Sequence, residues 1–362
     1  MIHHSGIGTY LKYLIPKVIE HFEVTLLADP NCCDEFEWQK DLRIIETKSG
    51  PYSIKEQFEL SLKIPQSECF WSPHYNVPVF PIKAKKRMVT IHDVYHLAFY
   101  HLLSFPQKMY AKQMFKKALN LSDRIITVSE FSKSEILKHT RIGEKNITVI
   151  HNGVDNHRFK LNFNTVLKEN VKKKYNLPDQ FILFVGNIKP HKNLKNLIIA
   201  LDKLPSQFQD IPLLAVGKRE GFITSDTELT KLLNNDSKST NRLYLISSVT
   251  DAELPVFYNL ATVFAFPSFY EGFGLPPLES MASGCPVIAS NIPPLRECCG
   301  NAAYFFDPSN PNDIARKIED VLSDDTLRQN LHEKGLEQSK KFSWDNCAQQ
   351  TLEVISQLLE ET

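Results

Sequence analysis

Nowhere in the 362 residues does an apolar run approach the roughly 18 residues needed to span a bilayer. The first residues also lack the basic-then-apolar layout of a secretory leader, so a soluble or at most peripheral, cytoplasmic protein is expected. Charge of neither sign is in excess, with Lys+Arg and Asp+Glu both 42. Without a global basic field, sequence-independent nucleic-acid binding is excluded. Cysteine is sparse: there are seven, two adjacent pairs among them (Cys32-Cys33, Cys298-Cys299), with no CxxC or Cys/His spacing of a zinc or thioredoxin-type site. A reduced compartment fits that usage. His3, His4, His74, His96 and His101 supply no pair at helical ligand spacing with a third ligand; no metal is expected, and these residues read as structural or as acceptor-side contacts. Internal repeats and low-complexity tracts are absent.

What is present is length enough for two cores. The chain opens on Ser5-Gly6-Ile7-Gly8-Thr9, a glycine loop entering a helix with no strand ahead of it, so a first strand is expected to be missing. Leu11, Leu14, Ile15, Val18, Ile19 and Phe22 then recur at helical spacing. Short apolar runs follow, from Val24 to Ala28, Leu42 to Ile45, Cys69 to Trp71, Met88 to Ile91, Arg124 to Val128 and Ile147 to Ile150, and read as buried parallel strands. Helical patterns separate several of them, notably Gln107 to Asn120 and Glu130 to His139, the latter with a Ser132-x-x-Glu135 capping-box pattern. The Asn- and Lys-rich stretch from Asn156 to Pro178 breaks the rhythm and reads as the inter-domain linker.

A second series runs through strand Phe181 to Val185, helix Leu194 to Leu204, strands Leu213 to Val216 and Leu243 to Ile246, helix Glu253 to Ala261, strand Val263 to Phe266, helix Pro277 to Ser283 and strand Val287 to Ala289. Such alternation implies an α/β protein of two doubly wound, Rossmann-like domains, 1–160 and 161–342. A last helix within 343–362 is expected to pack back on the first domain. Domains of this kind bind ligands at the carboxyl ends of their strands, and a facing pair makes a cleft.

Candidate motifs stand just after strands. SFYEGFGLPPLE, from Ser268 to Glu279, passes from a strand end through Gly272 and Gly274 into a helix that starts with prolines, where free amides and the dipole favour an anion such as a diphosphate. Glu271 is placed to accept hydrogen bonds from sugar hydroxyls and Glu279 to reach a ribose diol; an ordinary turn with two solvated acids fits the residues equally well. VGNIKPHKN, from Val185 to Asn193, offers Lys189 and Lys192 to neutralise a leaving diphosphate, Lys192 beside the expected N-cap Asn193 being the better placed. His92 and Asp93 end the strand Met88 to Ile91, on the same expected cleft edge as Gly6-Ile7-Gly8, although a lone His more often serves a loop backbone. With no third glycine, Gly6-Ile7-Gly8 disfavours a Rossmann dehydrogenase.

SGIGTY, TIHDV, RIITVSEFSKSEI, VIHNGVD, VGNIKPHKN, PSFYEGFGLPPLES, MASGCPVIAS and FSWDNCA, in that order over almost the whole chain, resemble the retaining glycosyltransferases classed as family 4, often mannosyl- or related hexosyltransferases of surface polysaccharide assembly. The resemblance implies the GT-B fold. It implies that Glu279 holds the donor ribose, Glu271 the transferred hexose, Lys192 the diphosphate, His92 the hexose near its reacting face and Gly8 the phosphate. Backbone amides of Phe273, Gly274 and Leu275, beside Gly272, would contact hexose and phosphate. His92, Glu271 and Lys192 are thus the expected catalytic residues. The family usually transfers with retention and without an essential metal, pictured as departure and attack on one face, with the diphosphate taking the acceptor proton.

Two departures stand out. Many relatives carry Arg at the position of Asn187, which shifts diphosphate binding towards Lys192, with Lys218 or Arg219 in support. Loss of the first strand would leave neighbouring edges unpaired, as in a truncated or misannotated start or a decaying gene product. The expected activity is transfer of a hexose from a nucleotide diphosphate sugar, GDP-mannose first, to a saccharide or lipid-linked acceptor in polysaccharide or lipopolysaccharide synthesis, with no cofactor. Alternatives are an impaired nucleotide-sugar-binding protein or a sugar-nucleotide epimerase. Trp71 to Tyr75 and Tyr95 to His101 are expected acceptor contacts, Tyr95 and His101 foremost. Lys108, Lys112, Lys116 and Lys117 with Tyr110, Met114 and Phe115 make a basic amphipathic helix, a solvated face by the ordinary reading of charge runs and otherwise a peripheral contact for an anionic membrane at its inner face.

Overall fold

The helical spacing after Gly8 forms α1 (Gly6–Ile19), which buries Tyr10, Leu14, Ile15 and Val18 on one face. The structure is a computed structural model that describes residues 6–32, 36–50, 52–140, 146–217, 227–233 and 240–361. His3, His4, Ser5, Cys33, Lys218 and Arg219 therefore lie outside the described residues. Two units are separable, Met1–Gly153 with Trp344–Thr362, and Val154–Ser343.

In the first unit β1 (Thr25–Ala28) pairs in parallel with β2 (Arg43–Glu46), Leu26 opposite Ile44. Ser53 caps α2 (Ile54–Lys63), its side chain accepting from the Glu56 amide. β3 (Ser67–Ser72), β4 (Ala84–Ile91), the short α3 (Tyr95–Ala98), α4 (Phe105–Leu121), β5 (Arg124–Thr127), α5 (Glu130–Thr140) and β6 (Ile147–Val149) follow, and the sheet runs β3-β4-β5-β6, all parallel. Val89, Ile91 and Ile125 of the strands pack with Met114, Phe115 and Ala118 of α4 and Ile136 of α5. Among the described residues this unit holds two sheets, with no described strand bonding both β1 and β3, and this accords with the unpaired neighbouring edges expected from the sequence. The capping expectation changes: Ser129 Oγ accepts from the Ser132 amide at 2.9 Å, so Ser129 caps α5, whereas the Ser132 hydroxyl donates to the His92 carbonyl at 3.2 Å and Glu135 pairs with Lys138. A capping box does occur at α4, between Ser104 and Gln107.

The second unit opens with α6 (Thr165–Tyr175), which falls inside the stretch expected to be a linker. Asn164 caps it, Asn176 ends it in the left-handed region, and its one buried residue is Val171, so a polar composition concealed a real helix. Then come β7 (Ile182–Val185), α7 (Leu194–Leu201), β8 (Leu213–Val216), α8 (Thr227–Leu233), β9 (Leu243–Ile246), α9 (Leu254–Leu260), β10 (Val263–Phe266), α10 (Leu275–Ala282), β11 (Val287–Ser290), α11 (Pro293–Cys299), β12 (Ala303–Phe306), α12 (Pro311–Ser323) and α13 (Asp325–Ser339). The parallel sheet is ordered β12-β11-β10-β7-β8-β9. Its inner strands are the continuous apolar runs of the sequence: all four residues of β8, of β10 and of β11 are buried, as a sheet covered on both faces demands. Chain order reverses between β7 and β10, which makes the carboxyl ends of those two strands the switch point of the fold.

The last helix, α14 (Trp344–Glu360), returns to the first unit and packs on α1. Trp344 stacks on Tyr13 with centroids 4.9 Å apart, and Lys17 reaches Asp345 at 3.3 Å.

Candidate active site

Both acidic and basic motifs of the second unit sit at its switch point. The loop after β7 carries Gly186, Asn187 and Lys192; the loop after β10 carries Glu271 to Gly274 and feeds α10. Three contacts stitch the loops together. Lys192 Nζ lies 2.7 Å from Glu271 Oε1 and 2.9 Å from Oε2, the Phe269 amide donates to the His191 carbonyl at 2.8 Å, and Asn193 Nδ2 donates to the Pro267 carbonyl at 2.9 Å. Asn193 does precede α7, but with φ 57° and no side-chain cap; its amide ties strand ends rather than closing the helix.

The glycines have local reasons. A Cβ on Gly217, after β8, would stand 2.0 Å from the Gly186 carbonyl oxygen, so the loops after β7 and β8 approach at a distance that no side chain tolerates. Gly274 precedes α10 with φ 146°, and a Cβ there would meet Leu295 and Cys298 of α11 at 3.0 and 3.2 Å. Pro276 and Pro277 lack N–H groups and the Leu278 amide turns to the Gly274 carbonyl, which leaves the Leu275 amide as the donor of the first turn. Phe273 is buried, with its ring 5.5 Å from Phe342.

One turn along α10, Glu279 Oε2 accepts from the Tyr258 hydroxyl of α9 at 3.0 Å. Burial pushes the Glu279 carboxyl above the usual carboxylate range, while the Arg158 charge and the Tyr258 hydrogen bond pull it back. Arg158 is held in turn by Asp251, Nε to its carbonyl at 2.9 Å. Neither Tyr258 nor Arg158 was singled out from the sequence. A phenol within the apolar run Leu254–Leu260 was the available signal, since a buried Tyr needs a polar partner.

In the first unit His92 follows β4. Its Nε2 donates to the Pro73 carbonyl at 3.1 Å, and its ring meets Tyr10 of α1 edge-on at 4.9 Å, which brings the end of β4 beside the helix that carries Gly8. Burial lowers the imidazole pKa against the pull of Asp93, so the ring is neutral with Nδ1 as its acceptor. Tyr95 and His101 flank Phe99: Tyr95 stacks on it at 4.9 Å, and the exposed His101 lies at 6.2 Å. Tyr75, His74, Tyr52 and Tyr110 form a second aromatic group beside them.

Comparison with known proteins shows the family of the chain. Residues 4–158 match the family model Glycosyltransferase Family 4, and residues 167–338 match Glycosyl transferases group 1. The chain is 33% identical over 282 residues to O-antigen chain mannosyltransferase B of Escherichia coli, covering 77% of this chain and 72% of that protein. It is also 33% identical over 242 residues to the serotype-specific mannosyltransferase WbdA of Escherichia coli, covering 67% of this chain; it spans only 29% of that longer relative. The solved structure of Anabaena HepE in complex with UDP-glucose superposes with a TM-score of 0.78 at 18% identity, over 98% of this chain and 96% of that one, a likeness of fold. The chain belongs to the GT-B glycosyltransferases, with a Glycosyltransferase Family 4 segment in its first half and a Glycosyl transferases group 1 segment in its second.

Proposed function

We propose that the protein transfers mannose from GDP-mannose to a saccharide or lipid-linked saccharide acceptor of O-antigen-type polysaccharide, with retention and without a metal. The observation that carries this reading is the Lys192–Glu271 pair at the switch point of the second unit, a cation for a leaving diphosphate held against a carboxylate for sugar hydroxyls. The mannosyltransferases among its relatives support the choice of hexose. Glu279, oriented by Tyr258, takes the ribose diol; the Leu275 amide and the amino end of α10 take phosphate oxygen; Asn187 lines the same loop as Lys192. In the first unit Gly8 approaches phosphate, neutral His92 accepts from a hexose hydroxyl through Nδ1, and Tyr95 and His101 contact the acceptor. As the glycosidic bond breaks, charge gathers on the diphosphate oxygen beside Lys192, and that oxygen takes the acceptor proton.

The test is a screen of GDP-mannose, UDP-glucose, UDP-N-acetylglucosamine and UDP-galactose for thermal stabilisation and donor hydrolysis, with Lys192→Ala and Glu279→Ala beside the parent. Stabilisation and turnover by GDP-mannose alone, lost in both variants, is the expected result. Response to a uridine donor instead would overturn the donor assignment, and stabilisation without turnover would leave a binding protein.

A further inference from the structure

The turn that opens α10 is held from beneath by a thiol. Leu295 and Cys298 stand three residues apart on α11, so both face Gly274, and the Cys298 Sγ–H donates to the Gly274 carbonyl at 3.4 Å. Cys298 is fully buried. Burial pushes its thiol well above the ordinary cysteine range, with Cys299, Glu297 and Glu271 adding to the effect, so sulfur keeps the proton that the hydrogen bond needs. The cysteine is fixed in turn from α13: Gln338 Nε2 donates to the Cys298 carbonyl at 2.8 Å, and Lys341 Nζ donates to Gln338 Oε1 at 2.9 Å. A second donor to the Gly274 carbonyl is the Leu278 amide at 3.4 Å. With both of its lone pairs engaged, that carbonyl cannot turn without breaking two hydrogen bonds.

The consequence falls on the other half of the same peptide group. The Gly274 carbonyl and the Leu275 N–H belong to one planar trans unit, in which they point in opposite directions. Holding the carbonyl towards Cys298 therefore sets the direction of the Leu275 N–H, the donor left to the first turn of α10 because Pro276 and Pro277 have none. Gly274 is the residue least able to set that direction alone, since a backbone without a side chain turns freely unless something outside fixes it. A Cβ there would meet Cys298 Sγ at 3.2 Å, so the close approach that excludes a side chain is the one that brings the thiol within reach.

We propose that Cys298 is a positioning residue for the diphosphate: its thiol, acting through the Gly274 carbonyl, aims the Leu275 amide at a phosphate oxygen of the donor. This rests on the reading of the α10 turn as the diphosphate site and adds to it a residue of α11 that touches no substrate. Calorimetric titration of the full chain with GDP and with guanosine, and with UDP and uridine as a second pair, gives the contribution of the phosphates as a ratio of two affinities. In the parent the diphosphate binds more tightly than its nucleoside. Cys298→Ala reduces that ratio about fivefold, the net contribution of one hydrogen bond, while the nucleoside affinity stays unchanged. Cys298→Ser, which keeps a donor, restores the ratio to within about twofold of the parent. Cys285→Ala is the control. It deletes another buried thiol that donates to backbone carbonyls, those of Ala261 and Pro286 at 3.6 Å, but at the amino ends of β10 and β11, and it leaves the ratio unchanged. Should Cys298→Ala fail to fold, Cys298→Val, which has no donor, takes its place with the same expected ratio. A ratio that stays at the parental value in Cys298→Ala, or a serine variant as weak as alanine, overturns the proposal while the donor reading stands. So does equal weakening of diphosphate and nucleoside, the mark of a merely structural thiol. A parent that binds neither diphosphate better than its nucleoside overturns the reading of the α10 turn, and this proposal with it.

Discussion

Lys192 and Glu271, 79 residues apart in sequence, close an ion pair at 2.7 Å with side chains only 18% and 12% exposed. The pair joins two loops whose strands are neighbours only because the sheet reverses between β7 and β10. Each residue therefore positions the other, and in the proposed reaction both serve the donor. Lys192→Ala is expected to lower kcat by about 10²–10³, the scale for losing one group aimed at developing charge. Glu271→Ala should fall in a similar range, and the double variant should lose much less than the product of the two, with a coupling of about 1–3 kcal/mol in the cycle. Full multiplication of the two effects would show that the residues act independently.

The glycine contacts give a prediction that separates crowding from flexibility. Gly217→Ala sets a methyl group 2.0 Å from the Gly186 carbonyl and must part the loops after β7 and β8, at a cost of about 2–3 kcal/mol. Because the Gly186 loop also carries Lys192, the donor KM should rise with the loss of stability. Gly50→Ala, with nothing within 4 Å of its Cβ, is the control and should stay within about 0.5 kcal/mol of the parent. Equal melting temperatures for the two variants would show that the loops yield freely.

Much of this was legible in the residues, for reasons that also explain the gaps. β8, β10 and β11 are buried on both faces, so each is a continuous apolar run, and the strand-then-loop placement of Lys192 and Glu271 follows from it. α6 was lost because Val171 is its one buried residue, and eleven residues with one buried position carry no periodic signal. Ser132-x-x-Glu135 matches a cap in spelling, yet Ser129, one turn earlier, makes the hydrogen bond. Which lysine and which glutamate pair is a matter of sheet order, which no local pattern encodes. The apolar face of α2 has the same origin: Ile54, Phe58 and Leu62 have core-like spacing, and only the fold shows that the polar Gln57 and Glu56 point inwards instead.

His74 supplies a pH prediction. Burial holds its imidazole down at about 3, with the neighbouring imidazoles of His92 and His96 opposing a further proton, and its Nδ1 accepts from the Asn76 amide at 3.3 Å. The folded value lies below that of an unfolded histidine, so under acid the unfolded chain binds a proton that the folded chain refuses. Stability from this group is therefore complete above the ordinary histidine range and is lost as pH falls through it towards 3. Between pH ~7 and ~5.5 the loss should be about 1 kcal/mol. Comparing unfolding free energies of the parent and His74→Asn over that window isolates the term, since contributions common to both cancel; parallel slopes would mean that His74 is protonated in the fold.

Tyr258 is expected to act through Glu279 rather than on substrate. Its hydroxyl donates to a carboxylate whose burial favours the neutral acid, and that hydrogen bond favours the charged form. Removing it in Tyr258→Phe must move the Glu279 pKa further up, because burial is then opposed by the Arg158 charge alone. If the carboxylate is the form that binds the ribose diol, the donor KM rises as pH falls through the Glu279 pKa, and in the variant that acid limb shifts to higher pH. At pH well above the limb, KM should increase by a smaller factor that reflects lost orientation, while kcat changes little, since the diol lies away from the breaking bond. A purely structural role for Tyr258 would instead lower the melting temperature and leave the acid limb where it was. Glu279→Gln, which has no carboxyl to titrate, should abolish the limb in both the parent and the Tyr258→Phe background; a limb that persists would belong to another group.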